Sequence, residues 1–287
     1  MKKTLYLTWV AIVAIFIVCS CSSDSDPVVP EGPPPPHLNK QDSLALVAIY
    51  KEGGGEFWDY KWDLNDCETW VGGRSYLVDP ETNEYRLWFL HLVCNTNDVV
   101  GTLSEEIGKL TELKVLLMDG RGFGGNLPAS LSELKNLEEV SIIKTSLSGK
   151  IPEGILSLPK LKFFTIDGCR LSGELPKDIT ETSPTVLNMG LMDNHLSGKL
   201  PSGIKVRWLN LDGNDYTEYP FEYLVPSKDP DFAGPCIFMR DNKISGIIPD
   251  SILNDPKLIT KLDVYSNPQK KGYGFSNAPE DWNRFNK

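Results

Sequence analysis

The sequence contains few of the residues that catalytic and metal-binding sites use. It has three histidines in 287 residues, and His37, His91 and His195 lie more than fifty positions apart. No Cys-x-x-Cys pair occurs among its six cysteines, although structural zinc sites usually contain such pairs. No Ser/His/Asp or Cys/His constellation can be assembled from these positions. We therefore expect no enzyme activity, no metal and no cofactor.

Positive charge and long apolar runs are also scarce. Lys and Arg number 29 against 39 Asp and Glu, which gives a formal net charge of -10. The chain has no phosphate-binding glycine loop and no basic surplus, so a nucleic-acid partner is not expected. The apolar run at the start, from about residue 5 to 18, is shorter than the roughly 20 residues that span a bilayer.

Residues 1–20 are predicted to be an export signal. Lys2 and Lys3 precede the apolar run, as in secretory signal peptides. The run ends in Val18-Cys19-Ser20-Cys21, which resembles the lipobox of bacterial lipoproteins. The resemblance implies that the signal is cut before Cys21 and that Cys21 then carries a lipid, which would anchor the protein to a membrane.

Residues 21–39 are predicted to be a tether. The acidic stretch Ser22–Asp26 resembles the tract that follows the lipidated cysteine in surface-displayed lipoproteins of Bacteroidota-type bacteria. That resemblance implies an outer-membrane location facing the cell exterior; a plain solvated tether is the alternative. Residues 27–37 are rich in proline and favour an extended polyproline II spacer.

The centre of the chain is an internal repeat of about 24 residues. Gly-x-(Leu/Ile)-Pro occurs five times, beginning at Gly125, Gly149, Gly173, Gly198 and Gly246. Apolar residues recur 12, 9, 7 and 2 positions before the glycine in most copies, which resembles the plant-type leucine-rich repeat. One copy supplies one short strand and cannot bury its own apolar face, so neighbouring copies must stack. We predict an α/β solenoid over residues 86–267, a leucine-rich repeat horseshoe with a parallel concave β-sheet.

A turn residue four positions before the glycine completes the pattern. It is asparagine in most copies, and Thr145 and Cys169 replace it in two; the asparagines are Asn97, Asn194, Asn214, Asn242 and Asn267. A short amide in a turn can bond the backbone of the adjacent copy, and its loss would leave buried groups unpaired. We therefore expect these side chains to be buried between copies.

The two ends of the solenoid are predicted to carry caps, because an open end exposes apolar core. Residues 40–85 contain an amphipathic helical segment that ends at Gly53. A following stretch, Cys67–Gly72, resembles the Cys-x-Trp-x-Gly-Val of plant-type repeat caps and their bacterial lipoprotein counterparts, with altered spacing and an insertion before the next cysteine. Residues 268–287 supply aromatic cover as a short C-terminal cap.

One disulfide is predicted. Cys21 is assigned to the lipid, Cys169 occupies an asparagine position and Cys236 begins a strand. Cys67 and Cys94 remain as the pair, which an oxidising compartment would favour. Buried free thiols are the alternative.

The repeat spacing predicts which side chains line the concave face: those 10, 8 and 6 positions before the glycine. The first of eight predicted strands carries His91, Val93 and Asn95, and the last carries Lys261, Asp263 and Tyr265. Eight strands at about 4.8 Å give a face roughly 34 Å long.

Candidate ligand-binding residues on this face are aromatic or charged. They are Phe163, Trp208, Phe238, Tyr265, Asp119, Asp167, Asp212 and Arg240. Exposed aromatics commonly anchor interfaces. The alternatives are that the aromatics contact flanking loops or the C-terminal cap, and that the acidic row serves solubility.

The chain as a whole resembles leucine-rich repeat surface lipoproteins. The resemblance implies a monomeric, non-catalytic recognition module that binds a protein partner through its concave face. Glycan capture by stacking on the aromatics is one alternative, and a structural envelope protein without a discrete ligand is another.

Overall fold

The computed structural model describes residues 37–65, 70, 74–180, 188–204, 206–224, 235–266 and 269–279. The predicted signal peptide, most of the tether and the residues Cys21, Cys67 and Asn267 lie outside these ranges. Within them, no helix combines the length and hydropathy needed to cross a bilayer.

The described chain contains strands, three α-helices and several short 3-10 helices. The strands are β1 His37–Leu38, β2 Arg74–Val78, β3 Glu84–Val93, β4 Gly101–Thr102, β5 Val115–Asp119, β6 Phe123–Gly124, β7 Glu139–Ile143, β8 Ser148–Gly149, β9 Phe163–Asp167, β10 Arg170–Gly173, β11 Asn188–Gly190, β12 His195–Leu196, β13 Trp208–Asn210, β14 Cys236–Phe238, β15 Ser245–Gly246 and β16 Gly274–Phe275. The helices are α1 Lys40–Glu52, α2 Asp250–Leu253 and α3 Pro256–Ser266.

The main sheet stacks one strand from each repeat. Its order is β1-β3-β5-β7-β9-β11-β13-β14, all parallel, and β2 adds an antiparallel partner to β3. In β5 the side chains of Leu116 and Met118 are fully buried while Val115, Leu117 and Asp119 face outward. This alternation repeats along the sheet because side chains on a strand point to opposite faces. The predicted parallel solenoid sheet is confirmed.

The repeat glycine turns the chain away from the main sheet. Gly125, Gly149, Gly173 and Gly198 have φ between 75° and 89°, the left-handed region that favours glycine. The residues just before them form smaller parallel sheets, such as β12-β10-β8. The apolar residue two positions after each glycine is buried, which explains the Gly-x-(Leu/Ile)-Pro sequence.

The turn asparagines bond adjacent coils as predicted in three copies. Asn194 Nδ2 donates to the Ile166 carbonyl at 2.7 Å, and its Oδ1 accepts the Leu171 N–H at 3.0 Å. Asn214 and Asn242 make equivalent contacts and are fully buried.

Of the other two asparagines, Asn97 departs from the prediction and Asn267 lies outside the described residues. Asn97 is exposed, so its assignment to the buried series is wrong. At the last coil Gln269 takes the role, because its Oε1 accepts the Ile244 N–H at 3.3 Å and its Nε2 donates to the Met239 carbonyl.

The predicted register of the first strand is wrong by two residues. Phe89, His91 and Val93 of β3 align with Val115, Leu117 and Asp119, whereas counting back from Gly101 placed His91, Val93 and Asn95 there. The turn after β3 is two residues longer than in later copies, so a constant repeat length misplaces the strand. Asn95 lies in that turn and donates its Nδ2 to Asp59 Oδ2 at 2.8 Å.

The predicted eighth strand is a helix. Lys261, Asp263 and Tyr265 lie in α3, which follows β14 and contributes the Tyr265 carbonyl that accepts the Met239 N–H at 2.7 Å. Apolar residues at 258, 259, 262 and 265 have the i, i+3, i+4 spacing that a helix buries on one side. The strand prediction rested on a short apolar run, and these residues form a helix instead.

At the other end, α1 is joined to the sheet by an ion pair. Asn39 caps the helix by accepting the N–H groups of Gln41 and Asp42. Asp42 is fully buried and bonds the Arg86 guanidinium at 3.1 and 3.2 Å and the Leu87 N–H at 2.9 Å. Removing one member of such a pair would leave a buried charge unpaired.

Candidate binding face

The outward side chains of the main sheet form three columns across the strands. The first column is Phe89, Val115, Glu139, Phe163, Asn188, Trp208 and Cys236; the second is His91, Leu117, Ser141, Thr165, Gly190, Asn210 and Phe238. The third begins Val93, Asp119, Ile143 and Asp167 and continues past the strand ends through Met192, Asp212 and Arg240. We call this surface the concave face.

Three of the four predicted aromatics form one cluster. The ring centroids of Trp208 and Phe238 are 4.6 Å apart at 33°, and those of Phe238 and Tyr265 are 4.8 Å apart at 58°. Tyr265 reaches the cluster from α3, not from a strand, and its hydroxyl contacts Cys236 Sγ at 3.6 Å. Burial and the Cys236 contact raise the pKa of Tyr265 to about 12. Trp208 remains 45% exposed, so the aromatic cluster presents an apolar surface to solvent.

Phe163 lies apart from the aromatic cluster. It is 39% exposed, and Asn188 stands between it and Trp208 in the same column. Two strand spacings separate Phe163 from Trp208, or about 10 Å. The two rings therefore border a stretch of face whose centre is polar.

Arg240 and Asp212 form a closed pair at the edge of the aromatic cluster. The Arg240 guanidinium donates to Asp212 Oδ2 at 2.9 and 2.6 Å, and the Arg240 N–H donates to Asp212 Oδ1 at 2.7 Å. Asp212 is 8% exposed. The Arg240 Cζ atom also lies 6.0 Å from the Phe238 ring centroid, close enough for a weak cation-π attraction.

The other two aspartates of the predicted acidic row have different surroundings. Asp119 is 43% exposed at its side chain and bonds His91 Nε2 at 2.8 Å. Asp167 is half-buried, and its Oδ1 accepts the Met192 N–H at 2.8 Å. Burial raises the pKa of Asp167 to about 6, and the nearby Asp193 carboxylate adds to the rise while the Met192 N–H opposes it.

A charged cluster that sequence reasoning missed lies beside the sheet at Asp215. Its carboxylate bonds Lys270 at 2.9 Å, Lys243 at 3.1 Å and His195 at 3.3 Å. Partial burial would raise the pKa of Asp215, but the two lysines and the hydrogen bond with His195 outweigh it and lower the pKa to about 2. The three partners come from three different coils, so no local sequence pattern indicates the cluster.

Only one of the two cysteines of the predicted disulfide, Cys94, lies within the described residues. Cys94 is buried, and its Sγ lies 3.7 Å from the Phe57 carbonyl oxygen. Cys67 lies outside the described residues, so the disulfide between them stays a prediction. In the same described ranges, no group of three or more His, Cys, Asp or Glu is arranged to hold a metal ion.

Comparison with known sequences gives no relative. No protein-family model matches the chain, and no curated protein is significantly similar to it.

Comparison with solved structures gives plant receptor ectodomains. The Arabidopsis thaliana receptor kinase HAESA, in complex with the peptide hormone IDA and the co-receptor SERK1, has a TM-score of 0.51 at 20% identity, covering 83% of this chain and 42% of that one. The ectodomain of Arabidopsis thaliana GASSHO1/SCHENGEN3 has a TM-score of 0.50 at 18% identity, covering 82% of this chain and 30% of that one. The chain thus spans less than half of either ectodomain. These likenesses and the repeated parallel strands show that the chain folds as a leucine-rich repeat solenoid.

Proposed function

We propose that the protein is a non-catalytic recognition module that binds a protein partner through its concave face. The observation that carries the proposal is the aromatic cluster, in which Trp208, Phe238 and Tyr265 form a continuous, partly exposed apolar surface on the concave face. Exposed aromatics packed side by side are typical anchors of protein interfaces. The HAESA ectodomain was solved with a peptide hormone and a co-receptor, so this kind of solenoid can hold a protein ligand.

The packing of the rings favours a protein partner over a glycan. Sugars stack on open, flat aromatic faces, whereas the rings here are tilted by 33° and 58° and contact one another. Tilted contact covers part of the Phe238 ring and leaves an uneven apolar surface, which suits the apolar side chains of a partner. Glycan binding is therefore an outcome of the test and not a second proposal.

The proposed setting is the outer surface of a bacterial outer membrane. The predicted signal at residues 1–20, the lipidation of Cys21 and the acidic tract Ser22–Asp26 support a lipid-anchored monomer facing the exterior. The proline-rich spacer would hold the concave face away from the bilayer.

The test compares binding by the native protein and two variants. The native protein is used to capture surface proteins, and the captured partner is then titrated against Trp208→Ala/Phe238→Ala. We expect at least a tenfold loss of affinity, because the anchors of an interface carry most of its binding energy. The control is Tyr273→Ala, which removes a ring of similar exposure, 38%, outside the concave face.

The outcomes separate the alternatives. Equal binding by the double variant would place the site elsewhere. Binding that survives protease digestion of the partner would indicate a glycan. If the native protein captures no partner at all, a structural envelope role is favoured.

A further inference from the structure

A second group of apolar side chains lies on the concave face, at the end opposite to the aromatic cluster. Phe89 and Val115 are paired on β3 and β5, and Leu117 lies two residues further along β5 on the same face. Side chains at such positions are about 5 to 7 Å apart and can contact one another. We call this group the N-terminal patch, and its members are all partly exposed: Phe89, Val93, Val115, Leu117 and Ile143.

The N-terminal patch and the aromatic cluster lie on one surface, some distance apart. Four strand spacings separate β5 from β13 in the main sheet, which is about 19 Å. Polar side chains, Ser141 and Thr165, follow Leu117 in the second column on the next two strands. Phe163, which is 39% exposed, stands halfway between the two groups in the first column. The apolar surface of the concave face is therefore concentrated toward its two ends.

The aromatic cluster alone is too small for a stable interface. A standard protein interface buries about 800 Å² on each partner. Strands β13 and β14 and one further spacing to α3 give the aromatic cluster about 10 by 13 Å in projection, or about 130 Å². The face from β3 to β14 measures about 29 by 13 Å, or about 380 Å². A stably bound partner must therefore extend from the aromatic cluster toward the N-terminal patch.

The charge of the protein argues against a second copy of this chain as the partner. The formal net charge is -10. Glu139 stands in the first column between Val115 and Phe163. Burial raises the pKa of Glu139, and no cation or hydrogen-bond donor in the described part of the chain offsets the rise. A second copy would bring further negative charge to this face, whereas a neutral or basic surface would not be repelled.

We propose that one protein partner contacts the N-terminal patch and the aromatic cluster together, through two apolar groups about 19 Å apart on a neutral or basic surface. This inference rests on the proposed function, because it names the spacing and the charge of the partner that the same face binds. Two contacts on one partner reinforce each other, since the second forms without a further loss of translational freedom.

The test does not require a natural partner to be known. The probe is a displayed library of random 12-residue peptides, which span about 40 Å when extended and so reach both groups. Peptides are selected on the native protein, and those that still bind Trp208→Ala/Phe238→Ala are removed. The peptides that remain depend on the aromatic cluster. We expect their sequences to carry apolar residues about six positions apart, which is the extended length of about 19 Å.

The double variant Val115→Thr/Leu117→Thr assigns the second contact. Threonine favours strands, and Ser141 and Thr165 already occupy the column of Leu117 on the next two strands. We expect the selected peptides to lose at least tenfold in affinity, measured by fluorescence anisotropy of labelled peptide. The matched control is Ile247→Thr, which changes an apolar side chain that is 70% exposed outside the concave face, and we expect its affinity to be unchanged.

Several results would overturn the proposal. Equal affinity of the native protein and Val115→Thr/Leu117→Thr for these peptides would do so and leave the proposed function standing. Failure to recover any peptide that depends on Trp208 and Phe238 would count against both. Analytical ultracentrifugation tests the other occupant: we expect a monomer, and a dimer that dissociates in Val115→Thr/Leu117→Thr would identify a second copy instead. Circular dichroism of each variant verifies that it is folded.

Discussion

Asp212 binds both the main chain and the side chain of Arg240, accepting the backbone N–H at 2.7 Å and the guanidinium at 2.6 Å. The carboxylate is almost fully buried, so it holds the strand that carries Phe238 and is not free to meet a ligand. Some charged residues of the concave face therefore stabilise the sheet, and others remain available to contact a ligand.

The first prediction concerns this pair. Asp212→Ala removes both acceptors from Arg240, and we expect a loss of about 2 to 3 kcal/mol in the free energy of unfolding, because a buried donor and a cation lose their partner. Asp212→Asn keeps one acceptor and should lose less. Urea denaturation measures both. Asp119→Ala removes a partly exposed hydrogen bond to His91 and should cost less than about 1 kcal/mol, and a cost equal to that of Asp212→Ala would contradict the assignment.

The second prediction is that Asp167→Asn increases the free energy of unfolding in a way that depends on pH. The pKa of Asp167 is about 6 in the folded protein, above the roughly 3.9 of an unfolded chain. Its contribution is therefore most favourable below pH 4 and is lost as the pH rises through 6. We expect Asp167→Asn to be more stable than the native protein at pH 7, by about 1 to 3 kcal/mol.

The same comparison below pH 4 supplies the control for Asp167. There the native carboxyl is protonated in both states, so the variant and the native protein should have equal urea midpoints. A stability difference that does not change between pH 4 and pH 7 would show that Asp167 titrates normally.

The third prediction tests the asparagine series. Asn214 donates to the Leu191 and Leu211 carbonyls at 2.8 and 3.0 Å and accepts the Leu196 N–H at 3.0 Å. Asn214→Ala should lower the free energy of unfolding by about 2 to 4 kcal/mol, because several buried backbone groups lose a partner together. Asn97→Ala, at the exposed turn, should change it by less than about 0.5 kcal/mol. Similar losses in the two variants would argue against a special role for the buried amide.

The fourth prediction concerns Asp215. Its pKa is lowered to about 2 because Lys270, Lys243 and His195 outweigh the effect of partial burial, so its stabilisation is present above about pH 4 and is lost as the pH falls toward 2. Asp215→Asn should therefore lower the melting temperature at pH 7, with a cost of about 1 kcal/mol because the ion pairs are partly solvated. The difference in melting temperature between Asp215→Asn and the native protein should disappear as the pH falls from 4 to 2. At pH 7, high salt should reduce the same difference. A gap that persists at pH 2 would mean that the amide disturbs packing instead.

The fifth prediction concerns the membrane anchor. Cys21→Ala should release the protein from the membrane fraction, because a lipid at this residue is the proposed attachment. Cys19→Ala changes the neighbouring cysteine of the same motif and should leave the protein attached. Fractionation followed by immunoblotting measures both, and a Cys21→Ala protein that stays with the membrane would rule out the lipoprotein assignment.

The repeat predicted the fold because its apolar positions are set by burial in every copy. Leu116, Val140, Phe164, Met189 and Leu209 are all fully buried at equivalent strand positions, and a periodic pattern of this kind survives local change. The same pattern predicted that Asn194, Asn214 and Asn242 would be buried, since the turn amide has the same backbone partners in each coil.

Local departures from the repeat could not be predicted by counting. The extra turn residues near Asn95 shift β3 relative to Gly101, and the Leu262 segment forms a helix where a strand was expected. The aspartates looked alike in sequence, yet Asp119 bonds His91, Asp212 bonds Arg240 and the Asp167 carboxylate bonds the Met192 N–H, because those partners come from other coils.

Helix α3 also determines where the sheet ends. The Met239 N–H just after β14 donates to the C-terminal turn of this helix, at Tyr265, so a helix and not a further strand lies beside the end of β14. Open strand edges allow molecules to join edge to edge into aggregates. We therefore expect α3 to hinder edge-to-edge association of neighbouring molecules at this edge of the sheet.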